Sequence, residues 1–156
     1  MDGSRSRLHP RVLLVEDDPV SSYAIEQDLR AQGAEVLVAQ DGRAALRVLT
    51  DEILTLDLLV TDLEMPELDG LALVRTIRAE GGEADLPVLV IGDDISPQAE
   101  QHLREFGAAV VPKAAGLDAV VAEARRLLGL QGWVAGDPEP RVGPFAALAR
   151  LMKRPA

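Results

Sequence analysis

The stretch "LDLLVTDLEMPELDG" (Leu56–Gly70) opens on an apolar run that does not alternate, Leu58–Leu59–Val60, and meets a carboxylate at Asp62. A strand with one wet face alternates apolar and polar residues. A continuous run predicts a strand covered on both faces, as in a parallel sheet. The carboxyl ends of such strands are where α/β sheets hold ligands, so Asp62 stands at a candidate site.

The same pattern recurs on either side. "VLLV" (Val12–Val15), "EVLVA" (Glu35–Ala39), "PVLVI" (Pro87–Ile91) and "AAVVP" (Ala108–Pro112) read as further strands. Between and after them, apolar residues fall at helical spacing over Val20–Gly33, Gly42–Thr50, Gly70–Gly82, Ser96–Gly107 and Leu117–Gly129. Most of these segments stop at glycine, and the fourth opens on Ser–Pro. Five βα units with right-handed crossovers give an open doubly wound sheet.

The 156-residue chain is 47% hydrophobic but only 3% aromatic, so aliphatic side chains must build the core. There is no cysteine, which excludes disulfides, thiolate metal sites and a cysteine nucleophile. That absence fits a cytoplasmic protein. No apolar run approaches the roughly 20 residues of a membrane span, and Met1–Arg11 is polar with no secretory pattern. Residues 130–156 hold four basic against two acidic residues, a net +2, which leaves −12 on residues 1–129 out of the total −10. So acidic a body repels phosphate backbones and is a poor nucleic-acid binder. Three regions are expected: a flexible N-terminus (1–10), one α/β domain (11–129), and a Gly/Pro-rich linker with a short basic amphipathic tail (130–156). Trp133 and Phe145 in that tail are linker residues or anchors onto the body or a partner.

"VLLVEDDP" ends its strand on Glu16, Asp17 and Asp18, and Glu16 and Asp17 can converge with Asp62 from the neighbouring strand. Buried charges need partners or a metal. An all-oxygen set without histidine or cysteine suits Mg²⁺ or Mn²⁺. Lys113, after the fifth strand, can reach the same pocket, and the combination suits phosphoryl transfer. Asp18, before Pro19, also fits as a helix cap. His9 and His102 read as surface residues, Tyr23 and Phe106 as core.

"VLLVEDDP", "LLVTDLEMPELDG", "PVLVI" and "GAAVVPK", in this order and spacing, resemble the receiver domain of bacterial two-component response regulators over residues 10–129. The resemblance implies a flavodoxin-like (βα)5 fold with strand order 2-1-3-4-5. It implies that Asp62 is the phosphoacceptor and takes a phosphoryl group from a histidine kinase or phosphotransfer protein. Glu16, Asp17, Asp62 and the backbone carbonyl of Glu64 would hold Mg²⁺, and Lys113 would pair with the phosphorylated Asp62. The protein would then be a phosphoacceptor signalling domain and not an enzyme. It would signal to a downstream protein, with a homodimer through the fourth helix, fifth strand and fifth helix among the implied contacts.

Two departures stand out. The family usually has Thr or Ser at the end of the fourth strand and an aromatic residue on the fifth; here the positions are Gly92 and Val110. Gly92 also fits a turn needing positive φ. The family usually follows its lysine with proline in a cis peptide, whereas this chain has Pro112–Lys113–Ala114. A cis bond without proline costs about 2.5–4 kcal/mol, so a trans bond is expected, with a shifted Lys113 amine. Three readings remain open on the residues alone. They are a phosphorylatable receiver, a degenerate receiver acting as a phosphorylation-independent interaction module, and a Mg²⁺-dependent phosphohydrolase with an aspartate nucleophile. The last lacks the second aspartate two residues on, where Glu64 stands.

Overall fold

The computed structural model describes residues 9–79 and 86–129. The tail with Trp133 and Phe145, most of the expected flexible N-terminus, and the predicted glycine stop at Gly82 lie outside the described residues. Five strands alternate with five helices: β1 (Arg11–Val15), α1 (Pro19–Ala31), β2 (Glu35–Ala39), α2 (Gly42–Glu52), β3 (Leu58–Asp62), α3 (Gly70–Ala79), β4 (Val88–Gly92), α4 (Pro97–Glu105), β5 (Ala109–Pro112) and α5 (Leu117–Leu127). All strand pairs are parallel, in the order β2-β1-β3-β4-β5.

The continuous apolar runs have the predicted cause. On β1, Leu13 and Val15 face one core with Leu59, Val88 and Val90 against α2, α3 and α4. Val12 and Leu14 face the opposite core with Leu58, Val60, Leu89 and Ile91 against α1 and α5. Every residue of β3 and β4 is buried, so neither face of these strands has room for a polar residue until the carboxyl end.

Helix starts follow local chemistry. Asp18 caps α1 by accepting from the Ser21 N–H (3.0 Å) and hydroxyl (2.8 Å). Asp41 caps α2 and Ser96 caps α4 in the same way, at 2.8 and 3.0 Å. One expectation fails: Tyr23 is 65% exposed rather than core. The buried stripe of α1 runs through Ser22, Ile25 and Leu29, and Tyr23, one residue round from Ser22, faces away from the sheet. Phe106 packs at the edge of the first core, half-buried.

Candidate functional site

Parallel register brings the carboxyl ends of β1 and β3 side by side, Val15 opposite Thr61. The next residues are therefore neighbours. Carboxylate oxygens of Glu16, Asp17 and Asp62 lie within 4.8 Å of one another. Glu16 (2% exposed) and Asp62 (4%) are buried, and Asp17 opens to solvent. Lys113, following β5, brings its Nζ to 3.3 Å from Asp62 Oδ2 and 3.6 Å from Glu16 Oε1. Asp62 Oδ1 faces the Glu64 N–H at 3.4 Å. The Glu16 carboxylate accepts from the Asp18 N–H through Oε2 (3.2 Å), while its buried Oε1 accepts no hydrogen bond.

These charges perturb one another. Burial pushes Glu16 up to about 7; the Asp62 carboxylate adds to the rise, and the Asp18 N–H and Lys113 oppose it. Burial works against the Lys113 ammonium, but Asp62 and Glu16 outweigh it and hold its pKa above the ordinary lysine value. A raised carboxyl pKa means that the folded chain binds more protons than the unfolded one between pH 4.5 and 7. Stability from Glu16 is then present below about 4.5 and is lost as pH rises through about 7. In metal-free buffer, Glu16→Gln is expected to be more stable than the parent at pH 8, by up to roughly 3 kcal/mol, and to lose that margin at pH 4.5. Denaturant titrations at both pH values check this; an equal difference at the two would contradict it.

The structure also explains the glycines. A Cβ on Gly70 would meet the Asp62 carbonyl oxygen at 2.5 Å and Leu63 Cα at 2.9 Å. The Gly70 N–H donates to the Leu63 carbonyl at 2.8 Å. Between them, Glu67 (φ 68°) sits in a tight three-residue turn closed by Leu68 N–H to Pro66 O at 2.8 Å, the strained γ form. Gly70 thus lets α3 begin directly against the backbone of the acceptor strand.

Gly92 corrects its expectation. It is not a positive-φ residue; the left-handed residue of this loop is Asp94, at φ 43°. Gly92 ends β4 as a strand residue, and its missing side chain is accounted for by packing. A Cβ there would lie 3.0 Å from Ile95 Cγ1 and 3.1 Å from Leu63 Cβ. Ile95 and Leu63 crowd the position that a Cβ would take. Ile95, three residues on, is brought back against Gly92 by the turn at Asp94. Val110 pairs with Val90 and is half-buried against the first core. The Lys113–Ala114 bond is trans, as expected, and the amine stands 3.3 Å from Asp62 Oδ2. A 3₁₀ turn over Lys113–Ala115 follows β5 directly, and the flexible lysine stem still reaches Asp62.

The donors fit a small divalent cation. All are oxygens, two are buried, and Glu16 Oε1 is a buried acceptor without a hydrogen bond. A doubly wound sheet bearing three carboxylates and a lysine at its carboxyl edge defines a class of acidic-pocket α/β domains. Comparison with known proteins makes this specific. The family model described as the response regulator receiver domain matches residues 12–125, and the chain belongs to that family.

Among relatives, the response regulator MprA of Mycolicibacterium vanbaalenii is 33% identical over 118 residues, covering 76% of this chain and 50% of that protein. The transcriptional regulatory protein PrrA of Mycobacterium tuberculosis is 43% identical over 82 residues, 53% of this chain and 34% of that protein. The chain spans about half or less of the length of these relatives. Among solved structures, the chemotaxis response regulator CheY4 of Vibrio cholerae is 26% identical, covers 77% of this chain and 99% of that one, and has a TM-score of 0.69. The receiver domain of HemR from Leptospira biflexa is 28% identical at 76% and 93% coverage, also with a TM-score of 0.69. The protein is a signalling domain of the two-component type. Among the described residues no helix is long and apolar enough to cross a membrane.

Proposed function

We propose that this receiver accepts a phosphoryl group on Asp62 from the phosphohistidine of a sensor kinase or phosphotransfer protein, and passes the signal on by protein contacts. The observation that carries the reading is the buried Asp62 carboxylate, held between Glu16, Asp17 and the Lys113 amine. A carboxylate oxygen of Asp62 attacks phosphorus, the P–N bond to the imidazole breaks, and the histidine leaves with the bond electrons. An acyl phosphate on Asp62 results.

Each neighbour has a part in this. Glu16 and Asp17, with Asp62 and the Glu64 backbone carbonyl, would hold Mg²⁺. Bound there, the ion neutralises charge on the phosphoryl oxygens and on the acids. Lys113 sits close enough to Asp62 to pair with the added charge without leaving its loop. Gly92 offers no hydroxyl to a phosphoryl oxygen, so the backbone N–H of Asp93 is the donor available at that strand end. A hydrogen bond to a charged group contributes about 1.5–3 kcal/mol, so its loss slows capture without removing the nucleophile.

The metal half of this reading has a direct test. Mg²⁺ titrated into the protein and followed by amide shifts should move Glu16, Asp17 and Asp62, and Asp17→Ala should remove the response. Equal affinity in the variant would sink the assignment of ligands.

A further inference from the structure

The register at the carboxyl edge brings one more charge to the mouth of the site. Gly92 stands opposite Pro112, so the residues that follow, Asp93 and Lys113, leave the sheet side by side. On its other side β4 pairs with the acceptor strand, Ile91 opposite Asp62. Asp93 therefore comes directly off the strand that borders Asp62. Its carboxylate is exposed and has no hydrogen bond or ion pair to another described residue. It still lies close enough to Lys113 to help hold that amine's pKa up. Asp93 and Glu64 line the same groove beside the site.

The acids at this edge are not offset equally. Lys113 Nζ is already engaged, 3.3 Å from Asp62 Oδ2 and 3.6 Å from Glu16 Oε1. The carboxylates of Glu16, Asp17 and Asp62 converge, so one divalent cation among them would offset all three, and Asp93 stands outside that set. Asp93 thus keeps its negative charge beside the path of an incoming phosphoryl group. A dianion approaching Asp62 is repelled along that path. A donor presented by a protein offsets the repulsion with contacts remote from the reacting atoms. A small free donor has no such contacts.

We infer that the Asp93 carboxylate is a specificity-determining group: it slows phosphoryl transfer from small dianionic donors, so that Asp62 takes its phosphoryl group chiefly from a donor docked on the protein surface. The inference rests on the reading of Asp62 as the acceptor. Asp93 forms no bond in the reaction and takes no proton. It acts through its charge alone, and it slows the small donor without excluding it.

The test is the rate of Asp62 labelling in the full chain with Mg²⁺ at low ionic strength, followed by intact mass. Asp93→Asn keeps the shape and the backbone N–H and removes the charge. With acetyl phosphate, a dianion near neutral pH, the variant should label faster by roughly threefold or more. The gain should be smaller with phosphoramidate, which is mainly a monoanion, and should shrink in high salt. Asp51→Asn removes the same charge from an exposed position at the far end of α2 and should leave the rate at the parent value. Equal rates in the parent and Asp93→Asn, a gain of the same size with both donors, or a gain matched by Asp51→Asn would overturn the inference and leave Asp62 as the acceptor. No labelling of Asp62 in either protein with either donor would refute the acceptor reading itself, and this inference with it.

Discussion

Asp62→Asn is expected to reduce labelling by acetyl phosphate or by a phosphorylated partner to below detection, while the protein stays folded. The amide is nearly the size of the carboxylate but has no anionic oxygen to attack phosphorus, so the step loses its nucleophile and not merely its rate. Stability should move the other way. Asp62 is buried beside Glu16, and the Asp62 charge adds to the rise in the Glu16 pKa. Neutralising position 62 removes that repulsion and leaves Lys113 paired with Glu16 at 3.6 Å. The variant should therefore melt at or above the parent temperature in metal-free buffer. Residual phosphorylation in a folded Asp62→Asn protein would place the acceptor elsewhere.

Gly70→Ala is expected to cost the fold about 2–3 kcal/mol, lowering the melting midpoint by roughly 5–12 °C. Alanine is the better helix former by about 1 kcal/mol in a helix interior, so propensity alone predicts the opposite sign. Sterics decide the matter, because the added Cβ would stand 2.5 Å from the Asp62 carbonyl oxygen and 2.9 Å from Leu63 Cα. Both obstacles are backbone and cannot rotate away. Relief requires α3 to retreat, which lengthens the Gly70–Leu63 hydrogen bond and loosens the turn that presents Glu64 to Asp62. Thermal melts check the first effect, and amide shifts at Asp62–Glu64 the second. An unchanged midpoint would show that α3 yields without strain and that Gly70 does not fix the acceptor loop.

The architecture was largely legible because burial on both faces leaves a local trace. β3 and β4 have no polar residue short of Thr61 and Gly92, and the helices between them carry one apolar stripe each. The convergence of Glu16, Asp17 and Asp62 was legible once strands 1 and 3 were taken as neighbours. What escaped the sequence was decided by how the elements and loops pack in three dimensions. Tyr23 fits a helical apolar period, yet the sheet lies on the side of Ser22 and Ile25. Gly92 reads as a turn glycine, but it is a strand residue whose side-chain space is held by Ile95 and Leu63. Lys113 lies beside Asp62 with a trans bond to Ala114, its long side chain reaching across from the turn after β5.

The central claim is that Asp62 receives the phosphoryl group with help from a divalent cation. The most direct test is incubation of the wild-type chain with acetyl phosphate, with and without Mg²⁺, followed by intact mass and peptide mapping under conditions that preserve acyl phosphates. The predicted result is one phosphoryl group per chain, on Asp62, formed with Mg²⁺ and absent with a chelator. An unchanged mass in the presence of Mg²⁺, or a phosphoryl group mapped to Asp93 or Asp94, would contradict it.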